Sequence, residues 1–326
     1  MGNRLSHQRK GYSPLPIKDG LNPTRVRVPE DITQIVAFDF LEQVIMSQRH
    51  RHPLDNADAL LERFKANEVV IFDATPISPE TILRANQDVF FYRTPAPEEP
   101  VPYDIHIVYE DDDIIVVDKP PFMATMPRAR HITETATVRL RRSTGIDELS
   151  PAHRLDRLTS GLLLFTKHRG VRGSYQTLFA RREVSKTYIA IAEYAHFTTP
   201  LTWASRMEKT PGEIQGRIEE GEHNAITQLA DVTPLTHDEQ QKLEAIHGEQ
   251  KPLARYTLKP QTGKTHQLRL HMWAAGVPIL GDPVYPVIHP VDAEDMNIPM
   301  HLTAAVLGFT DPISGQEREF RTTLDF

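Results

Sequence analysis

An aspartate set among arginines at the entrance to a long apolar run is the first feature of this chain that could do chemistry. Asp156 lies in His153-Arg154-Leu155-Asp156-Arg157-Leu158-Thr159-Ser160-Gly161, which runs directly into Leu162-Leu163-Leu164-Phe165. The apolar run reads as a buried strand, entered through a Thr-Ser-Gly turn. A carboxylate at that entrance is partly desolvated yet flanked by cations. Such a setting suits a nucleophile that must stay ionised at neutral pH. The plain alternative is a solvated turn before a core strand, with Asp156 paired to Arg154 or Arg157.

Two further segments add to this one: Lys186-Thr187-Tyr188-Ile189-Ala190, and Gly263-Lys264-Thr265-His266-Gln267-Leu268-Arg269-Leu270-His271. Together the three resemble the motifs of the RluA-type pseudouridine synthases, which isomerise uridine within RNA. The first motif matches that family at every fixed position. The third departs from it by Lys264 in place of Arg and by two aliphatic exchanges. Val108-Tyr109-Glu110-Asp111 with Val116-Val117-Asp118-Lys119-Pro120 resembles the family's opening hairpin, and the stretch from Gly276 to Pro283 matches another recurrent segment. Several ordered motifs in one chain are more specific than any one alone.

The resemblance implies roles for particular residues. Asp156 takes the part of the nucleophile that acts at C1′ or on the 2′ proton. Tyr188 stacks on the uracil or removes the proton from C5. Arg269 pairs with the nucleophile. Such a pair would hold the carboxylate ionised and oriented. A base inside structured RNA has to be flipped out to reach the site, and Arg154 matches the residue that fills the gap left behind. Arg157, Lys186 and Lys264 are expected at the RNA through phosphate contacts, and His266 is expected at the RNA as well. No cofactor is implied, because the isomerisation needs no redox change. A metal site is not expected either. His266 and His271 are five apart, not the four that places two imidazoles on one helical face.

The elements that must position these residues can be read around them. Strands are predicted at 162–166, 187–192 and 254–259, and a hairpin over 105–117 around Asp111-Asp112-Asp113. Helices are predicted at 133–142, 171–182 and 265–275, the last capped by Thr265. The segment 94–102 carries four prolines in nine residues. It reads as a stiff linker and a domain boundary. Before it, 31–94 reads as a small α+β domain, similar to the RNA-binding module that precedes many RluA-type catalytic domains. Here Phe72-Asp73-Ala74 stands where that module has an Asn-Gly turn. Residues 1–30 are polar and basic and read as a flexible tail. With these elements the resemblance implies an α/β (α+β) fold: a catalytic domain over 103–326, with a curved, mostly antiparallel mixed sheet and flanking helices, plus the small N-terminal domain.

Composition sets the outer limits. The net charge is −7, yet 128–186 holds 13 Lys and Arg against 5 Asp and Glu, whereas 212–250 holds 2 against 9. The basic block surrounds Asp156, so RNA is the expected partner in spite of the acidic total. There are no cysteines, which excludes disulfides and thiolate metal sites. No segment approaches a membrane span or the apolar core of a signal peptide. A monomeric cytoplasmic enzyme is expected, with ribosomal RNA of the large subunit as the leading substrate and transfer RNA second. The rival readings are a non-catalytic RNA-binding or ribosome-assembly factor on the same scaffold, and a glycoside hydrolase. The hydrolase is disfavoured because it would typically need a second carboxylate, and none lies near Asp156 in sequence.

Overall fold

A computed structural model describes residues 13–210, 212–290 and 294–324. The chain divides into two compact units. One holds the chain up to Glu99 together with 127–133 and 141–147, and the other holds the rest from Pro100 onward.

The first unit contains β1 (Thr24–Arg27), β2 (Gln34–Val36), α1 (Ala37–Met46), α2 (Ala57–Lys65), β3 (Val69–Ile71), β4 (Ile82–Arg84) and β5 (Asp88–Phe91). Its strands form a three-stranded sheet ordered β1-β5-β3 and a β2-β4 ladder. Phe40, Leu41, Ile45, Leu60 and Phe64 of the helices bury themselves with Val69, Val89 and Phe91 of the strands. Leu41 and Ile45 of α1, and Leu60 and Phe64 of α2, each stand four apart, the spacing of one helical face. Asn56 caps α2, its side chain accepting the Ala59 N–H at 3.1 Å. The turn at Phe72-Asp73-Ala74 is present, with Ala74 in the left-handed region at φ 68°. The tail expected over 1–30 needs correction. Thr24–Arg27 is a strand paired with β5, pinned by Arg25 and Arg27 on the buried Asp88. The part of that expectation falling on 1–12 lies outside the described residues.

The second unit contains β6 (His106–Glu110), β7 (Ile114–Lys119), the start of α3 (Ala136–Thr144), β8 (Ser150–Pro151), β9 (Ser160–Thr166), α4 (Arg169–Arg181), β10 (Val184–Glu193), β11 (Leu201–Glu208), β12 (Arg217–Glu219), β13 (Ala225–Pro234), α5 (His237–His247), β14 (Leu253–Pro260), α6 (Gln267–Ala274), β15 (Leu302–Thr310) and β16 (Glu317–Arg321). One mixed sheet runs β12-β11-β13-β14-β10-β15-β9-β7-β6, with β16 on β15 and β8 on β9. β9 and β15 pair in parallel, while the neighbouring ladders are antiparallel. The fold is thus α/β with a large, mostly antiparallel sheet.

The sheet's centre follows from its sequence. β7 and β9 are buried along their whole length, as continuous apolar runs must be. On one face Ile114, Val116, Leu162 and Leu164 pack with Val171 and Tyr175 of α4 and with Leu307 and Phe309 of β15. Each such side chain contributes about 1.5–3 kcal/mol through burial. The β6–β7 turn forms where the three aspartates stand, because Asp111 Oδ1 accepts the backbone N–H groups of Asp113 and Ile114, both at 2.9 Å. α4 ends at Arg182, which adopts φ 60°. The helix expected over 265–275 is shorter and starts differently. Gln267 is its first residue, and His266 precedes it at φ 60° with no side-chain cap, so Thr265 does not cap it.

Candidate active site

The turn that carries Asp156 is held from outside by groups that leave its carboxylate alone. Thr125 binds both sides of Leu155, donating its hydroxyl to the Leu155 carbonyl at 2.9 Å and accepting the Leu155 N–H at 3.1 Å. The Thr159 N–H closes the turn on the Asp156 carbonyl at 3.1 Å. Lys119 is fully buried at the end of β7. Its Nζ donates to the carbonyls of Pro120 at 2.7 Å, Met123 at 2.8 Å and Arg157 at 3.2 Å. Burial, and then the charge of Arg157, push the ammonium down to about 7, against the pull of Asp156. The half-buried Asp156 side chain makes no hydrogen bond or ion pair among the described residues.

Gly161 fixes where this turn meets the sheet. It sits at φ +97°, and a Cβ there would lie 2.4 Å from the Ala304 carbonyl oxygen. Only glycine allows so close an approach of two backbones. Ala304 is also the residue opposite Tyr188 in the β10–β15 ladder, where the register shifts between Thr187 and Tyr188. One short stretch of β15 therefore brings the Asp156 turn and Tyr188 together from opposite sides. Burial, and then the negative charge of Asp156, raise the Tyr188 phenol well above its ordinary value. The ring is a neutral phenol at physiological pH.

Arg269 projects from α6, and its partner is not the one the sequence suggested. Its Nε and Nη2 donate to Asp282 at 2.7 and 2.5 Å. Asp282 Oδ1 also accepts the backbone N–H groups of Val284 at 2.8 Å and Tyr285 at 3.1 Å. The expected direct pair with Asp156 is thereby replaced by a buried Arg269–Asp282 pair. Burial works against the Arg269 charge, but Asp282 and then Asp156 raise its pKa overall. Asp156 thus acts on Arg269 through space rather than through a bond. The Arg269 guanidinium lies 5.2 Å from the centre of the Tyr285 ring. The Tyr285 hydroxyl joins His266 Nδ1 at 2.9 Å and accepts the Gly216 N–H at 2.7 Å. Burial, followed by the charge of Arg269, lowers His266 to about 4, so its ring is neutral. Gln267 ties α6 to the sheet: its Oε1 accepts the Lys264 N–H at 3.0 Å, and its Nε2 donates to the Ile226 carbonyl at 2.9 Å.

The remaining expected site residues divide. Arg154 is exposed, Lys264 is exposed and Lys186 is half-buried. Arg157 is committed internally: it pairs with Glu294 and donates to the Phe122 carbonyl at 3.2 Å. That corrects its assignment as a phosphate contact. His271 sits between Thr227 at 2.9 Å and Ser205 at 3.1 Å, a structural role. Among the described residues no group of three or more His, Cys, Asp or Glu is placed to hold a metal ion.

The sequence profile described as RNA pseudouridylate synthase matches residues 113–274. A tRNA pseudouridine synthase C from Vibrio vulnificus is 32% identical over 231 residues, covering 68% of this chain and 91% of the relative. The chain belongs to the RNA pseudouridylate synthase family. A ribosomal large subunit pseudouridine synthase D from Zymomonas mobilis is 30% identical over 244 residues, covering 69% of this chain and 71% of that one. Among solved structures, human RNA pseudouridylate synthase domain containing 1 is 26% identical with a TM-score of 0.52, over 68% of this chain and 84% of the other.

For a pseudouridine synthase the arrangement is chemically economical. A carboxylate with no hydrogen bond among the described residues lies close enough to a neutral phenol and to a fixed guanidinium for its charge to act on each. Four contributors were not singled out from the sequence: Lys119, Asp282, Tyr285 and Ala304. Lys119 and Asp282 lay inside recognised motifs, and a buried charge within a motif was the signal available for them. Among the described residues no helix is long and apolar enough to cross a membrane.

Proposed function

We propose that this protein isomerises uridine to pseudouridine within structured RNA, with Asp156 as the carboxylate that acts at the ribose and breaks the glycosidic bond. The observation that carries this reading is the contrast in bonding at the site. Lys119, Arg269 and Asp282 are all held by internal partners, while the Asp156 carboxylate has none among the described residues. Covalent help from a carboxylate at an anomeric carbon is established chemistry. Tyr188 stacks on the flipped uracil. Its raised phenol suits a neutral stacking partner better than a resting base. Arg154, exposed two residues ahead of Asp156, fills the gap left by the flipped base, as guanidinium planes stack well on nucleobases. In this reading the protein works as a monomer in the cytoplasm.

The substrate is large-subunit ribosomal RNA in the leading version and transfer RNA in the second; relatives named for each are of similar identity. The test is tritium release from transcripts of both RNAs labelled at uracil C5, since isomerisation frees that hydrogen. Release from the ribosomal transcript, abolished by Asp156→Asn, is the expected result. Release from transfer RNA alone would reverse the order of substrates. Tight RNA binding with no release from either would favour the non-catalytic assembly factor.

A further inference from the structure

β10 and β14 pair from Tyr188↔Leu258 to Glu193↔Leu253. Past Tyr188 they part company. β10 runs on to Val184 against β15 alone, and β14 runs on to Pro260 against β13. The sheet therefore opens into a wedge with Tyr188 at its apex. A cleft of about 770 Å³ occupies the opening, lined by Lys186 and Thr187 of β10, by Lys259 of β14, by the loop that reaches Lys264, and by Arg182 beyond α4. Among the described residues β10 has no neighbouring strand on this side from Val184 to Thr187.

The charge in this cleft is uncompensated. Arg182, Lys186, Lys259 and Lys264 line it against one carboxylate, Glu319, which is already paired with Arg321 at 2.7 Å. None of the four cations has an ion pair or a side-chain hydrogen bond among the described residues. Elsewhere in the same unit several surface cations are paired off: Lys167 with Glu110, Arg217 with Glu213, Lys251 with Glu193, and Arg255 with Glu239. Burial, and then the charge of Arg182, lower the Lys186 ammonium below its ordinary value, so these like charges already oppose one another. A cluster of this kind in a concavity is stabilised by an anion that enters it.

We propose that the wedge is an anion subsite that takes the phosphodiester groups of an unpaired RNA strand beside the isomerised uridine, with Arg182, Lys186, Lys259 and Lys264 neutralising their charge. This rests on the reading of the substrate as RNA. The geometry selects a single strand. The cleft is the size of a small-molecule site, on the order of 300–1,000 Å³, which admits one or two nucleotides and no duplex. Its apex at Tyr188 places that strand next to the flipped base, so the target uridine is flanked by unpaired residues.

The test compares two charge-matched double variants of the full chain, Arg182→Ala with Lys259→Ala and Arg217→Ala with Lys251→Ala. Affinity for a stem-loop RNA with a uridine in its loop is measured across salt concentrations. Each phosphate that is no longer neutralised lowers the slope of log affinity against log salt by roughly 0.7, and affinity near 0.1 M salt by about fivefold. The cleft variant is expected to bind roughly 25-fold more weakly with a slope reduced by about 1.4, and the other variant to bind like the parent. A second arm moves the same uridine into the stem, which should abolish the difference between cleft variant and parent. Equal weakening in the two double variants would make the effect diffuse surface charge and overturn the subsite. A penalty that persists on the stem substrate would overturn the single-strand assignment. Because binding is read without turnover, a protein that passed both arms yet released no tritium would leave the subsite standing and remove the isomerase reading.

Discussion

Two carboxylates of the same unit, Asp156 and Asp282, are treated in opposite ways. Asp282 is buried and fully engaged, taking two N–H groups from Arg269 and two from the backbone of its own loop. Asp156 is half-buried and its carboxylate takes none among the described residues. The backbone around Asp156 is the more heavily braced of the two, by Thr125, Lys119 and the Gly161–Ala304 contact. A structural carboxylate is built in by its side-chain bonds, which a buried charge requires. A reactive one is built in by its backbone, so that its oxygens stay available. Rigidity without saturation is what preorganised chemistry asks for.

Replacing each carboxylate by its amide should therefore split stability from activity. Asp156→Asn should lower isomerisation by more than about 10³-fold, as expected for a nucleophile. Its stability should stay within about 0.5 kcal/mol of the parent. Asp282→Asn should do the reverse in the first instance. It leaves the Arg269 guanidinium buried beside a neutral amide, at a cost of about 3–5 kcal/mol in urea unfolding, with activity falling as the fold loosens. Should Asp156→Asn unfold the protein while Asp282→Asn merely slows it, the two roles would have to be exchanged.

The side of the comparison that concerns Asp156 was the more legible in sequence. Its turn and strand are contiguous, so residue order alone brings polar turn, glycine and apolar run together. Tyr188 and Arg269 could be placed by motif. What surrounds them could not. Ala304 touches both Gly161 and Tyr188, but an alanine in an apolar strand carries no mark of its neighbours. β15 inserts between β10 and β9, and no local pattern announces a parallel pairing across 143 residues. Arg157 was assigned to RNA with the motif in which it stands. Its partner Glu294 lies 137 residues away. Arg269 was assigned to the nucleophile because motifs name residues and not bonds. The strands β11, β13 and β16 went unseen, since their half-exposed patterns mix polar and apolar residues. In the first unit, the strands β1, β2 and β4 are three or four residues long, too short to stand out as a pattern.

A smaller effect is expected where backbone alone does the holding. Gly161→Ala puts a methyl group into the Ala304 carbonyl and a side chain at φ +97°. The strain of that conformation is about 1–3 kcal/mol, and the overlap adds to it by pushing β9 off β15. Because the Asp156 turn leads straight into this contact, turnover should fall out of proportion to stability. A drop of about tenfold is expected, rising toward about 10²-fold for a full ångström of misplacement. Gly145→Ala, at a glycine also of positive φ (+70°) but with nothing within 4 Å of its Cβ position, is the control. It should carry the backbone strain and leave turnover intact. Matching drops in turnover in both variants would detach the Gly161 contact from the site.

The smallest effect separates the two regions by pH. His153 lies on the Asp156 side, stacked on Phe179 at 4.2 Å, and its Nε2 accepts the Leu164 N–H at 3.2 Å. That bond exists only while Nε2 is unprotonated. Burial, and then the charge of Lys186, lower His153 to about 3, while burial and Arg269 lower His266, on the Asp282 side, to about 4. The unfolded chain takes up these protons first, near the ordinary value of 6.5. Below it the unfolded state holds more protons than the native one, so stability falls as the solution is acidified. The contribution is complete above about pH 6.5 and is lost progressively toward the folded values, at up to about 1.4 kcal/mol per pH unit for each ring. Solvent reaching the half-buried rings trims that figure. Urea midpoints measured between about pH 7 and pH 5 should fall for the parent and fall less steeply for His153→Gln, whose amide oxygen can still accept from Leu164. His266→Gln should flatten the profile too, and the double variant should combine the two changes because the rings sit in separate regions. Profiles for both single variants that overlay the parent would place the acid-sensitive protons elsewhere in the molecule and remove both histidines from the comparison.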